Sequence, residues 1–184
     1  MASTRTDALK NREHLLGVAR TMVREGEATP SFNALAARAE VGVGTVYRHF
    51  ADQHALLSAL AEVQLAEFDA LFAKAEAEED AFEALSIVLR GAVELELDNP
   101  VAAEVLSAPK SKATAQVKKR LQQLELASQA IVLRARKAKV IRGDVEAADF
   151  RRLACGIFLA AKSGEAPRQA AKRYVEIVLA GLRS

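Results

Sequence analysis

The sequence predicts an all-α protein, and three observations carry that expectation. About half of the 184 residues are apolar, 51%, with Ala and Leu prominent, a composition that favours helix. Only nine Gly and four Pro interrupt the chain. Runs in which Val, Ile, Thr or Tyr alternate with polar residues, the mark of half-buried strands, are hard to find. The length suits one medium domain, or a small domain joined to a larger one, and is enough to bury a core.

The first helix is expected from about Thr6 to Glu25, where Leu9, Leu15, Leu16, Ala19, Met22 and Val23 recur mostly at three- and four-residue intervals. Gly26 is its stop signal. Ser31 is the N-cap of a short second helix, Phe32 to Ala39, that buries Phe32, Leu35, Ala36 and Ala39. A tight turn leads to a third short helix, Val43 to Phe50. Asp52 caps a fourth that reaches about Lys74. Further helices are expected at Asp80 to Asp98, Pro100 to Leu106, Ser111 to Lys139, Val145 to Lys162 and Pro167 to Leu182. The breakers between them are "DNP", "SAPKS", "IRGD" and "KSGEAP". That makes about nine helices, divided as 1–51 and 52–184, with no internal repeat of 20 to 50 residues.

Charge narrows the function classes. The net charge is +2, which by itself says nothing about nucleic acid. Residues 1–50 carry seven Lys/Arg against five Asp/Glu, 51–100 two against twelve, and the remainder seventeen against seven. Any contact with DNA must therefore be local. No apolar run approaches the roughly 18 residues of a membrane span. The polar start, "MASTRTDALKNREHLL", has no signal-peptide core. The single cysteine, Cys155, lies in the apolar "LACGIFLAA" and reads as core in a reduced, cytoplasmic setting. His14 reads as a surface or interface residue. His49 and His54 stand five apart with no Cys/His cluster around them, so no metal is expected. With no phosphate-binding glycine loop, nucleophile elbow or HExxH, neither a cofactor nor an enzyme activity is expected.

One stretch needs explaining: "VGVGTVYRHF", residues 41–50, with two glycines and a group of polar side chains in the third helix. Two short helices joined by a tight turn, the second carrying exposed polar groups, is the helix-turn-helix plan, whose second helix enters the DNA major groove. Gly42 opens that helix, and Gly44 lets its N-terminus approach bases and phosphates closely. Thr45, Tyr47, Arg48 and His49 supply hydroxyl, phenol, guanidinium and imidazole groups. Val46 and Phe50, at i and i+4, face inward.

Residues 35–60, "LAARAEVGVGTVYRHFADQHALLSAL", closely resemble the DNA-binding domain of tetracycline-repressor-like (TetR family) regulators. The motif resemblance covers about Thr6 to Leu60. The rest, including "LRARKAKVIRGDVEAADF" and "RYVEIVLAGLRS", matches in plan. The resemblance implies DNA contacts from Ser31 and Asn33, and from Val43, Gly44, Thr45, Tyr47, Arg48 and His49, with Tyr47 and His49 mainly on phosphates. Two positions depart from it. Glu40 stands where the turn usually has Gly, a steric cost if the backbone there has φ > 0. Gln53 stands where the fourth helix usually starts with Lys, which leaves the amide and the helix N-terminus to hold the DNA backbone.

A regulator of this plan needs a switch, expected to be a small molecule held among the helices of the larger domain. Leu56, Leu60, Val63 and Leu71 share a face of the fourth helix, and Gln64 and Glu67 fall on it as well. Phe82, Leu85, Leu89 and Val93 share a face of the fifth, with Glu96 among them. A buried carboxylate needs a partner: a ligand cation or hydroxyl, an Arg from a neighbouring helix, or solvent if Glu96 sits at an exposed end. Phe68, Phe72, Phe82 and Phe158 line the same expected cavity or are plain core. The stripes Phe150, Ala154, Ile157, Ala161 and Tyr174, Ile177, Val178, Gly181 are expected to join two subunits. The resemblance implies a homodimer through the last two helices that reads a double-stranded, pseudo-palindromic operator. Two other readings stay open: a helical protein-interaction module without sequence-specific DNA binding, and a small helical enzyme acting through Glu67 or Glu96.

Overall fold

The computed structural model describes residues 2–27, 29–100 and 115–184. Eight helices lie among them: α1 (Ala2–Arg24), α2 (Phe32–Arg38), α3 (Val43–His49), α4 (Gln53–Ala77), α5 (Ala81–Asp98), α6 (Ala115–Lys137), α7 (Ala147–Lys162) and α8 (Pro167–Leu182). The described residues contain no strand beyond an isolated antiparallel bridge between Ile141 and Arg183. The all-α expectation holds. The helix expected at Pro100 to Leu106 lies outside the described residues beyond Pro100, as does the start of the one expected from Ser111.

Local signals explain most helix ends. Asp52 Oδ1 accepts the Ala55 N–H at 2.8 Å and Asp80 Oδ1 the Glu83 N–H at 2.7 Å, so each caps the helix that follows. Gly26, at φ 103°, ends α1 with paired bonds from its own N–H to the Val23 carbonyl and from the Glu27 N–H to the Met22 carbonyl. The α7 N-terminus is closed by a reciprocal box between Glu146 and Asp149. One end is closed from a distance: Arg134 of α6 donates to the Ala75 carbonyl at 3.1 Å, in the last turn of α4.

The chain divides into two compact units. The front unit holds the described residues up to Val63 together with 98–100; the first turns of α4 thus pack with α1–α3, beyond residue 51. Its core is Leu15, Ala19 and Val23 of α1, Leu35 of α2, Val46, Phe50, and Leu56 and Leu60 of α4. The rear unit comprises Gln64–Leu97 and, among the described residues, 115–184. Its core is built on Leu85, Leu89 and Val93 of α5, Ile131 and Ala135 of α6, Ile157 and Ala161 of α7, and Val175 and Leu179 of α8. Gly91 permits a close crossing of α4 and α5, since a Cβ there would run into the Leu71 side chain.

Candidate functional site

In the front unit, Ser31 caps α2 from an extended backbone, its hydroxyl accepting the Ala34 N–H at 3.2 Å. The helix ends with two crossed bonds, Val41 N–H to the Ala36 carbonyl at 3.0 Å and Glu40 N–H to the Ala37 carbonyl at 3.3 Å. That motif needs a left-handed residue before its last bond. Glu40 supplies it at φ 56°, so the turn pays the steric cost that glycine would avoid. From α1, His14 Nε2 donates to the Ala39 carbonyl at 3.2 Å and holds the end of α2.

Gly42 then starts α3 from an extended conformation, its carbonyl accepting the Thr45 N–H at 2.8 Å. Val46 and Phe50 are wholly buried, and the Arg12 guanidinium stands 5.2 Å from the Phe50 ring centre. The other side of α3 is turned outward. Val43, Gly44 and Arg48 are exposed, Thr45 and His49 half-buried, and Tyr47 is 59% exposed. Tyr47 is not loose: its ring meets Phe32 edge-on, with centres 4.9 Å apart. Arg48 Nη2 donates to Thr45 Oγ1 at 2.8 Å. Ser31 and Asn33 are exposed at the start of α2, and half-buried Gln53 donates from Nε2 to the Pro30 carbonyl at 3.0 Å. A short rigid helix thus presents hydroxyl, phenol, guanidinium and imidazole groups together, the set that contacts phosphates and base edges.

In the rear unit, Gln64 is fully buried on α4 and donates from Nε2 to the Leu95 carbonyl at 3.4 Å; among the described residues its Oε1 accepts no hydrogen bond. The next residue along α5, Glu96, is partly buried. Its Oε1 accepts a hydrogen bond from Cys155 Sγ of α7 at 3.6 Å, and its buried Oε2 has no partner among the described residues. Burial pushes the Glu96 carboxyl up to about 7, against smaller opposing effects of the Cys155 hydrogen bond and of Arg151. The Cys155 thiol is pushed up to about 11, by burial first and by the neighbouring carboxylate second. Half-buried Glu67 and Phe68 follow Gln64 by one turn of α4, and buried Phe158 follows Cys155 by one turn of α7.

Two family models match the chain. Residues 19–60 match bacterial regulatory proteins of the tetR family, and residues 80–184 match the C-terminal domain of SbtR-like transcriptional regulators. The chain belongs to the TetR family of transcriptional regulators. Solved structures agree. A TetR transcription regulatory protein from Mycobacterium vanbaalenii is similar at 25% identity, over 98% of this chain and 99% of that one, with a TM-score of 0.68. A TetR transcriptional regulator from Streptomyces coelicolor matches at 26% identity over 94% and 98%, TM-score 0.66. The ketosteroid transcriptional regulator of Mycobacterium tuberculosis shares the fold at 17% identity over 94% and 95%, TM-score 0.72.

In this TetR-family regulator the front unit carries the DNA-binding motif and the rear unit belongs to the ligand-binding part. The surroundings of several rear residues separate readings that their spacing leaves open. Phe82 shares a face with Glu96 by periodicity, yet 14 residues of helix separate them by roughly 20 Å, and Phe82 lies in the core beneath the Arg183 guanidinium, 3.8 Å from its ring centre. Phe72 is also a core residue. The stripe Phe150, Ala154, Ile157 and Ala161, expected between subunits, is buried inside the chain's own core, with Tyr174 and Val178 packed against it. The outward face of the last two helices carries Gly156, Leu159 and Ala160 on α7, and Ile177, Ala180 and Gly181 on α8; Leu159 is 64% and Ile177 58% exposed. Cys155 reads from its apolar context as core, whereas it is half-buried and hydrogen-bonded to a carboxyl. The His14 bond to Ala39 and the Gln53 bond to Pro30 have no local signal at all, because each joins residues far apart in sequence. No helix among the described residues is long and apolar enough to cross a membrane, and no cluster of metal-ligating side chains occurs among them.

Proposed function

We propose that this TetR-family regulator is a repressor that binds a palindromic operator as a homodimer in the cytoplasm and leaves it when a small molecule binds the rear unit. The observation that carries the reading is the exposed Tyr47–Arg48 pair on a helix anchored by Val46 and Phe50. A helix held by two buried side chains keeps its outer groups in one geometry, as direct reading of a groove requires. Thr45, Val43 and Gly44 serve base edges and close approach; His49, Ser31 and Asn33 serve phosphates. Gln53 commits one N–H to Pro30, and its second amide hydrogen remains for the backbone of the DNA.

Dimerisation follows the outward face of α7 and α8. Gly156, Ala160, Ala180 and Gly181 are small enough for helices to approach closely, and Leu159 and Ile177 are exposed apolar side chains of the kind an interface buries. A two-fold dimer reads two half-sites of one palindrome. The effector acts by binding better to the form that does not fit DNA, which shifts the population away from the operator.

The test is selection of duplexes from a random pool by the purified protein, followed by titration of the enriched duplex at several salt concentrations. The reading expects a palindromic consensus, one dimer per site and a linear fall of log affinity with log salt. Enrichment of no sequence, with the dimer intact, would leave a helical interaction module as the better description.

A further inference from the structure

We infer that the Gln64–Glu96–Cys155 cluster holds the head of a primary amine with an apolar body, and is the recognition end of the effector site. The inference rests on the reading of the rear unit as the effector-binding part and adds the chemical class of its ligand.

The cluster is rich in acceptors. The Gln64 amide is oriented by its bond to the Leu95 carbonyl, because a flipped amide would set oxygen against oxygen. Its Oε1 is therefore fixed as an acceptor, fully buried, with no donor among the described residues. Glu96, the next residue on α5, has Cys155 on one carboxyl oxygen and no donor among the described residues on the buried other. One acceptor thus belongs to the side chain that touches Leu95 and the other to the residue after Leu95, and each left without a donor is costly.

Ligand classes differ in what they bring to such a place. An anion adds acceptors where donors are lacking. A hydroxyl brings a single donor. An ammonium brings three and a charge, enough for both oxygens with one hydrogen to spare. The charge matters because burial raises the Glu96 carboxyl to about 7, and a cation beside it restores the ionised form and a charge-assisted hydrogen bond. The body of the ligand has apolar company in half-buried Phe68, one turn beyond Gln64 on α4.

Cys155 is the only cysteine in the chain, so its alkylation reports occupancy at this place alone. The probes are 2-phenylethylamine, 2-phenylethanol and phenylacetate, which share a body and differ in the head. With full-length wild-type protein, the amine is expected to slow alkylation of Cys155 by iodoacetamide several-fold. By calorimetry it should bind roughly tenfold tighter than the alcohol, the scale of one charge-assisted hydrogen bond, while phenylacetate neither binds nor protects. In Glu96→Gln the preference of amine over alcohol should vanish. Equal protection by phenylacetate, no protection by the amine, or an amine preference that survives Glu96→Gln overturns the inference. The ranking of the three probes on wild type stands even if the variant fails to fold. Duplex binding measured on the same wild-type preparation separates the two failures: loss there sinks the regulator reading, whereas intact duplex binding with no amine preference sinks this inference alone.

Discussion

Gln53 Nε2 donates to the carbonyl oxygen of Pro30 at 3.0 Å, which ties the first turn of α4 to the chain entering α2. A lysine at this place would give up the bond and project a charge from the start of α4 instead. Gln53→Lys is expected to tighten binding to every duplex alike and to steepen the salt dependence by about one unit, as one added phosphate contact should. Titrations of the selected duplex and of an unrelated one, across a salt series, check this. A gain confined to the selected sequence, with the slope unchanged, would contradict the backbone role.

Tyr47 has two separable functions, since its ring meets Phe32 while the residue is more than half exposed. Tyr47→Phe keeps the packing and removes the hydroxyl. The variant should unfold at the wild-type midpoint and bind the operator more weakly by about 1 kcal/mol, the value of one ordinary hydrogen bond. Equal operator affinity would mean that the phenol oxygen touches nothing on the DNA.

Glu40 at φ 56° is a side chain in a glycine conformation. Glu40→Gly removes the steric strain but gives the unfolded chain more freedom, so the net gain in stability should be modest, up to about 1 kcal/mol. Glu40→Val, branched at the same backbone angles, should lose stability. Urea unfolding of the three proteins tests the pair. A less stable Glu40→Gly protein would show that the turn does not need the left-handed conformation.

Glu96 predicts a pH dependence with a definite sign. Its carboxyl titrates at about 7 in the fold against an ordinary 4.5. Between these values the folded protein keeps a proton that the unfolded chain has released. The stabilising contribution is therefore complete below 4.5 and is lost as pH rises through about 7. The loss amounts to at most about 3 kcal/mol, from the size of the shift. Glu96→Gln should flatten this part of the stability profile, so that wild type and variant diverge as pH rises through the window. Parallel profiles would mean that the carboxyl ionises as easily folded as unfolded.

Much of the front unit was legible because its signals are local. Ser31 and Asp52 are caps read from one residue and the turn beyond it, and Val46 and Phe50 are four apart on one helix face. The resemblance over 35–60 added the role of the surface they leave outside. The rear unit was less legible for a physical reason. A helix that packs its own core on one side and offers apolar groups on the other carries two apolar stripes, and periodicity does not label them. Phe150, Ala154, Ile157 and Ala161 form the inner stripe of α7, while Leu159 and Ile177 lie outside. A shared face also says nothing of distance along the axis, and Phe82 and Glu96 share one at opposite ends of α5. Glu96 stands out in the sequence as a carboxyl on an apolar stripe, but its Cys155 partner depends on a contact between residues 59 apart in sequence.

The central claim is that the outer face of α3 reads DNA, and the most direct measurement is the affinity of Tyr47→Ala and Arg48→Ala for the selected palindromic duplex at fixed salt. Both side chains are exposed, and the helix that carries them is held by Val46 and Phe50. Each variant should therefore remain a folded dimer and still lose operator affinity, by roughly 1–3 kcal/mol for Arg48 on a base edge. Wild-type affinity in both variants, with folding and dimerisation intact, would contradict the assignment of this surface to DNA.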